Sequence, residues 1–585
     1  MTKIFNDPAE FAEDQLEGFL DLYSDRVRGV PGGVVALRTG EPQVAVVIGG
    51  GCGHYPAFSG LVGQGFATGA VVGNIFTSPS AAQVYSVAKA ANQGKGVVLT
   101  FGNYAGDNMN FGIAADRLRK EGIDTRIVVV TDDVASSEIK EQRRGIAGDF
   151  SVFKVLGAAA AAGLELDQVE KAGKEANNAT HTIGVALSGC TMPGVDTPLF
   201  TVPEDHAGLG LGIHGEPGIR DMPMPTAYEL AELMVSTLLK DLPVGSSKRV
   251  APILNGLGTS KYEELFILWG SISKLLKQAG FEVIDAEVGE LVTSLDMGGV
   301  SLTLMCLDDE LETYWSADAY TPAYRKQRDP LKNINRFAEE SSNELLDAET
   351  IPESTEAARR LAVQVLRGLE NMAQVLHENE TKLGQIDAVA GDGDHGRGMV
   401  KGINAALKAA QTGYSNGGGA GWILQTAGRN WAERAGGTSG VLWGAALEAA
   451  GHSLTDNKVV YEDQDYVAAI HAFSSAILEL GGASIGDKTL VDAMLPFVET
   501  ISKSIANGTA LPIAWSMSAE VATNKAAQTE ALVPKRGRAR PLAEKSVGTP
   551  DAGATSFALL ATGLSKLSTP QNLTSTTKGA TESYV

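Results

Sequence analysis

At 585 residues the chain is too long for one hydrophobic core, and about three or four folding units are expected from the usual domain size. A composition with 44% hydrophobic residues and 68 glycines is that of a globular protein rich in tight turns. The formal net charge of -22 repels a phosphate backbone and argues against a nucleic-acid partner, yet it leaves room for a small phosphorylated ligand held through a metal ion. The three cysteines, Cys52, Cys190 and Cys306, are odd in number and far apart, which suits a reducing cytoplasm without disulfides or a zinc cluster. The N-terminal stretch lacks the basic-then-apolar order of a signal peptide, and no apolar run is long enough to span a bilayer, so no membrane contact is expected.

Along the first half, short β-branched runs lead into Gly-rich turns and then into segments of helical period. VAVVI (Val44 to Ile48) precedes GGGCGHYP, VVLTF (Val97 to Phe101) precedes GNYAGDNMNFG, and IVVV (Ile127 to Val130) precedes TDDVASSE. This alternation predicts a mostly parallel α/β sheet. In TSPSAAQVYSVAKAAN, Ser78 and Pro79 read as the N-cap and first position of a helix. A second α/β set starts near Arg249 with RVAPIL and ends in VSLTLMCL, so residues 1–330 are expected to hold two α/β lobes, about 1–190 and 191–330.

From Tyr324 to Glu356 the chain turns charged, polar and proline-bearing, and residues 331–356 are assigned as a linker. Beyond it, LAVQVLRGLENMAQVLHENE, MVKGINAALKAAQ, VAAIHAFSSAILELG, LVDAMLPFVETISKSIANG, AWSMSAEVATNKAAQ and FALLATGLSKL carry apolar residues at i, i+3, i+4 spacing. They predict an all-α domain over residues 357–568, followed by a disordered Ser/Thr-rich tail, 569–585.

In IDAVAGDGDHGRG, Asp387, Asp392 and Asp394 fall within one turn-rich segment, where mutual repulsion is relieved by a hard cation. An exposed Asx-turn loop is the plain alternative, and the EF-hand order is absent. GGTSGVLWG, IGDKTLVDA and TPDAGATS open or flank helices with Gly, Ser or Thr, where backbone N–H groups favour an anion. Together these segments suggest a nucleotide held through Mg²⁺. No P-loop is present, and GGGCGH alone is a weak dinucleotide signal. In the first half His54 and Asp107 both follow strands, so their loops could meet over one crevice. Each also has a simpler reading, as a helix cap and as the anchor of an Asn-rich turn. His214, flanked by glycines in LGLGIHGEPGI, is presented rather than packed and could join them as nucleophile or acid/base.

The combination of GGGCGHYP, GNYAGDNMNFG, GLGIHGEPG and TSLDMGG with AGDGDHGRG, GGTSG, GDKTLVDAMLP and GRARPLAEKSVGTPDAGATS resembles single-chain, ATP-dependent dihydroxyacetone kinases over nearly the whole length. The resemblance implies a two-lobed α/β substrate domain followed by an all-α, eight-helix barrel that binds ATP and Mg²⁺, and a homodimer. It implies that His214 bonds covalently to the carbonyl carbon of a small ketose as a hemiaminal, which a polyol such as glycerol cannot form. Gly51, Cys52, Gly53 and His54 would line the ketose, with His54 assisting capture. Asp107 would take the proton of the attacking hydroxyl. Asp387, Asp392 and Asp394 correspond to the Mg²⁺ ligands, and His395, Gly396, Arg397, Gly398, Thr438, Ser439, Gly486, Arg538, Asp551, Ala552 and Gly553 to the ATP contacts.

Two departures stand out. Where many members carry a substrate-contacting Lys, this chain has Gly102, which removes a donor and opens space for a four-carbon ketose such as erythrulose. GRGM replaces GTNM after His395, putting Arg397 and Gly398 where small polar contacts are usual. Two other function classes compete with the kinase: a lyase that releases AMP from FAD to form cyclic FMN, and a non-catalytic sugar sensor.

Overall fold

The apolar runs of the first half pair into two separate sheets. The computed structural model describes residues 2–37, 40–216, 218–327, 351–389, 391–435, 437–535 and 543–567. The chain divides into two compact units, Met1–Arg336 and Phe337–Val585.

In the first unit, α1 (Phe11–Leu22) precedes β1 (Val27–Val30), β2 (Gly33–Ala36), β3 (Ala45–Cys52) and β4 (Gly69–Ile75). Then come α2 (Ala81–Ala91), β5 (Val97–Gly102), α3 (Ala105–Lys120), β6 (Thr125–Val130), α4 (Gly148–Ala161) and α5 (Leu166–Ala179). The sheet runs β1-β2-β4-β3-β5-β6, parallel from β4 to β6 and antiparallel at β1 and β2. Val47, Leu99 and Phe101 pack against Val84, Val87 and Phe111 on one face, while Val46, Ile48 and Val98 pack against Phe150 and Phe153 on the other. Burial on both faces is why these strands read as unbroken apolar runs. From β3 the chain turns one way to β4, and from β5 it turns the other way to β6. The carboxyl ends of β3 and β5 therefore flank the switch point at which open α/β sheets bind ligands.

The second sheet is built from β7 (Thr180–Ala186), β8 (His206–Leu209), β9 (Arg220–Pro223), β10 (Arg249–Gly256), β11 (Glu282–Val283), β12 (Glu287–Gly289) and β13 (Gly299–Cys306), with helices α6 (Ala227–Asp241), α7 (Tyr262–Gln278) and α8 (Asp309–Trp315). Its order is β11-β10-β13-β7-β8-β9, with β12 also on β10. Here the expected parallel arrangement is corrected: β11 and β12 run parallel to β10, and the other pairs are antiparallel. Strands β7 and β13 are buried almost throughout, polar residues included, and such burial looks the same for either direction, so the pattern could not reveal it. Strand β7 also belongs to this second sheet, ahead of the lobe boundary expected near residue 190.

Two local expectations change as well. The cap of α2 is Ser80, not Ser78: Ser80 Oγ accepts the Gln83 N–H while the Gln83 side chain accepts the Ser80 N–H, a reciprocal box that Ser78 cannot make. Tyr324, where the charged stretch of the sequence begins, is buried in the first unit and donates its hydroxyl proton to Glu287 at 2.6 Å. Of the linker expected over 331–356, residues 331–350 lie outside the described residues, while Thr355 caps the first helix of the second unit and Glu356 opens it; the tail, 569–585, also lies outside them.

The second unit is helical: α9 (Glu356–Ala388), α10 (His395–Ser415), α11 (Ala420–Ala435), α12 (Gly437–Leu454), α13 (Asp463–Gly481), α14 (Val491–Ala506), α15 (Leu511–Gln528), the short α16 (Ala543–Ser546) and α17 (Ala552–Leu567). Successive long helices pack on one another, and α17 returns to pack on α9. Helices α11 and α12 escape the apolar-period reading because glycine fills their contact: a Cβ on Gly428 would fall 2.4 Å from the Gly444 carbonyl, and one on Gly451 2.5 Å from that of Gly421. Stacked Trp431 and Trp443, 5.4 Å apart, supply the bulk beside this close approach. Among the described residues no helix is long and apolar enough to cross a membrane.

Candidate functional site

At the carboxyl end of β3, Gly51, Cys52 and Gly53 lead directly into His54, which is 2% exposed. His54 Nδ1 meets the Thr293 carbonyl at 2.7 Å, and its ring stacks on Phe76 with centroids 5.0 Å apart. The segment supplying that carbonyl lies between β12 and β13 and is tied back by Leu295 N–H to Gly53 O and Thr293 Oγ1 to Tyr55 O, both 2.8 Å. His214 arrives from the second sheet, on the loop between β8 and β9. Its Nε2 lies 3.1 Å from His54 Nε2, and its ring is enclosed by His54, Phe76 and Tyr104 with centroids 5.0 to 5.1 Å away. His54 and His214 therefore do meet, and His54 is not a helix cap.

Asp107 sits in the first turn of α3, beyond β5, buried and close enough to His214 for the imidazole to lower its pKa. Burial outweighs that effect and the hydrogen bond from Ser78, so the carboxyl titrates above an ordinary aspartate. Its Oδ1 has no hydrogen-bond partner. Ser78, read from the sequence as a cap, is thus the neighbour of the candidate base. The Tyr104 hydroxyl is also buried without a partner, beside the His214 ring. At Gly102 a Cβ would lie 3.1 Å from Gly145 O and 3.3 Å from the Tyr104 ring, so the Gly145 backbone and Tyr104 close in around this position. The Cys52 thiol, pushed up to about 12 by burial, is no nucleophile.

In the helical unit, Asp387 ends α9, Asp394 caps α10 and Asp392 lies between them. One ligand oxygen from each falls within 4.8 Å of the others, a hard-oxygen set of the kind that suits a divalent cation such as Mg²⁺. These three, with His395, Gly398, Thr438, Ser439, Asp551, Ala552 and Gly553, line a cavity of about 530 Å³, within the range of small-molecule sites. His395 Nε2 lies 3.0 Å from Ser556 Oγ. Asp551 is pushed up to about 6 by burial, eased by the Ala554 N–H it accepts.

Three of the sequence-derived ATP contacts stand apart from this cavity. A Cβ on Gly396 would strike Glu380 O at 2.1 Å, so this glycine serves the α9–α10 contact. Arg397 is exposed on the outer side of α10. Gly486 shapes a turn whose N–H groups at Gly486 and Thr489 are already bonded to Asp492, at 2.5 and 2.8 Å, leaving fewer free for an anion than the sequence suggested. Arg538 lies outside the described residues. Lys488, Thr489 and Leu490 line the cavity instead, within the same quoted motif, although the Lys488 ammonium bonds the Ser546 and Leu532 carbonyls at 2.7 and 3.1 Å.

The Dak1 domain family matches residues 17–323 and the DAK2 domain family residues 389–566. A D-erythrulose kinase of Mycolicibacterium smegmatis is 56% identical over 567 residues, 96% of this chain and 97% of that protein. An L-erythrulose kinase of Pectobacterium atrosepticum is 50% identical over 572 residues, 96% of this chain and 95% of that protein. The crystal structure of the dihydroxyacetone kinase from C. freundii in complex with AMP-PNP and Mg²⁺ superposes with a TM-score of 0.55 at 27% identity, across 96% of this chain and 99% of that one.

Proposed function

Because the chain belongs to the dihydroxyacetone kinase family, we propose that it transfers the γ-phosphoryl group of ATP to a terminal hydroxyl of a short-chain ketose, erythrulose or dihydroxyacetone. The observation that carries this reading is the pairing of His54 and His214, Nε2 to Nε2 at 3.1 Å, beside a buried carboxyl with an unpartnered oxygen on Asp107. His214 Nε2 attacks the ketose carbonyl and holds the substrate as a hemiaminal, with His54 assisting the proton transfer. Immobilising the ketose this way removes translational freedom before phosphoryl transfer. Asp107, raised by its burial toward the working pH, accepts the proton of the terminal hydroxyl. Gly51 and Gly53 give the ketose a wall without side-chain bulk.

ATP occupies the cavity of the helical unit, which we read as an eight-helix barrel, against His395, Thr438, Ser439 and the start of α17. Asp387, Asp392 and Asp394 would hold Mg²⁺, which when bound neutralises phosphate charge and orients the triphosphate. We assign the protein to the cytoplasm as a homodimer. Similarity to two erythrulose kinases at 50% and 56% identity over most of the chain supports a four-carbon ketose and favours the kinase over a flavin lyase or a sugar sensor. The test is ATP- and Mg²⁺-dependent ADP release with dihydroxyacetone, D-erythrulose, L-erythrulose and glycerol side by side. Turnover of ketoses alone is expected, and no release with any ketose would sink the proposal.

A further inference from the structure

The HGEPG segment drew attention for its histidine, yet in the fold the glutamate two residues on is bound to that histidine twice. Glu216 Oε1 lies 2.9 Å from His214 Nδ1, and Oε2 accepts the His214 backbone N–H at 3.0 Å. Behind it, Arg144 Nη1 lies 3.8 Å from Oε2. Arg144 is itself fixed by Asp133, through Nη2 at 2.8 Å and Nε at 2.9 Å. Gly212 makes room for the carboxylate, since a Cβ there would sit 2.0 Å from Oε2.

We propose that Glu216, anchored by Arg144 and Asp133, is the positioning residue of the ketose site: it keeps a proton on His214 Nδ1 and so reserves Nε2 for the carbonyl carbon. The proposal rests on the reading of His214 as the covalent nucleophile. A carboxylate only accepts, so the Nδ1 facing it must carry hydrogen. The same logic applies across the contact, where the Thr293 carbonyl selects Nδ1–H on His54. Both Nε2 atoms are then lone-pair sites, and at 3.1 Å two lone pairs do not face one another, so one further proton lies between the rings.

Burial holds His54 down to about 3, so its ring favours the neutral form and passes on any proton it takes up. Glu216 stays ionised opposite the ring: burial raises its pKa, but the hydrogen bond and charge of His214 outweigh this and bring it to about 2. Asp107 from α3, Tyr104 before it, and Arg144 with Asp133 from the loop after β6 are the other titratable groups around the pair. On capture the proton between the rings passes to His54 Nε2, the freed Nε2 lone pair of His214 bonds the carbonyl carbon, and the C=O π pair moves to oxygen. The oxygen takes the shared proton through His54. The substituted imidazolium keeps the positive charge opposite Glu216, and no further reactant is needed.

Glu216→Gln separates this role from a structural one. Two donors, the His214 backbone N–H and the Arg144 guanidinium, face the Oε2 position, so the amide oxygen settles there and turns its NH₂ toward Nδ1. The proton then moves to Nε2, which donates to His54, and the nucleophilic lone pair is lost. By comparison with a serine-protease triad locked in the wrong tautomer, ketose turnover should fall about 10³-fold or more, further than in Glu216→Ala, with the KM for ATP unchanged. ¹⁵N NMR of histidine-labelled, full-length protein reads the tautomer directly. Nδ1–H on His214 in the wild type and Nε2–H in E216Q are expected. The proposal is overturned if the wild type lacks the Nδ1 proton, a result independent of how any variant folds, or if E216Q keeps a rate equal to or above that of E216A. Wild-type protein inert toward every ketose would instead sink the kinase reading.

Discussion

His54 and His214 touch through their Nε2 atoms at 3.1 Å although 160 residues separate them in the chain, one at the end of a parallel strand and the other on a hairpin loop of a different sheet. Replacing His214 by Ala should lower ketose-dependent ADP release on the order of 10³-fold or more while leaving ATP binding intact. The ¹³C resonance of a carbonyl-labelled ketose should move to the tetrahedral region on binding wild type but not the variant. A carbonyl resonance that stays in place on the wild-type protein would refute covalent capture.

Asp107 sets a prediction in pH. A carboxyl raised by burial is protonated at a higher pH than a free aspartate, so kcat should fall on acidification through that raised value. The hydrogen bond from Ser78 works in the opposite direction, lowering the pKa. Ser78→Ala should therefore shift the acidic limb of the kcat profile to higher pH. Asp107→Ala should abolish the limb and reduce kcat by about 10²- to 10⁴-fold. An unshifted limb in Ser78→Ala would show that another group titrates.

Gly102 offers a test of substrate size. A methyl group there would press on Gly145 O and the Tyr104 ring at 3.1 and 3.3 Å, tightening the space beside the nucleophile. Gly102→Ala should lower kcat/KM for erythrulose more than for dihydroxyacetone, by a factor of about 10, the scale of one methylene in a pocket. Equal losses on both ketoses would place Gly102 outside the specificity surface.

For the metal site, Asp394→Asn should raise the Mg²⁺ concentration needed for half-maximal activity about 10-fold or more, since it removes a charge from a three-carboxylate set. Binding of the labelled ketose should be unaffected, and Mg²⁺ titration of ADP release is the measurement. An unchanged Mg²⁺ requirement would exclude Asp394 as a ligand.

Much of this architecture could be read from the sequence, and the failures have physical causes. The β3 and β5 runs and the loops after them announced a switch-point crevice, because strands buried on both faces are plainly apolar and their functional loops plainly are not. Strand direction in the second sheet was hidden, since β7 and β13 look the same whichever way they run. Asp387, Asp392 and Asp394, singled out as a close-set acidic cluster, do come together at the wall of one cavity. Ser78 and Thr293 were missed in the site because they act through bonds to residues far away in the chain, Thr293 through its backbone carbonyl, whereas Glu216 was missed because nothing in one sequence shows that it folds back onto the histidine two residues before it. Gly396 was misassigned because a glycine required by helix packing is indistinguishable, in one sequence, from a glycine required by a ligand.

The bond from His54 Nδ1 to the Thr293 carbonyl spans 239 residues, so the paired histidines come together only when both sheets of the first unit have formed and docked. Contacts of such sequence separation bear the highest loop-closure cost and form late in folding. On refolding from denaturant, the far-UV circular dichroism signal should therefore recover before ketose capture does. A chain that has regained its helices and strands, and even its nucleotide cavity, remains chemically silent until the two histidines meet.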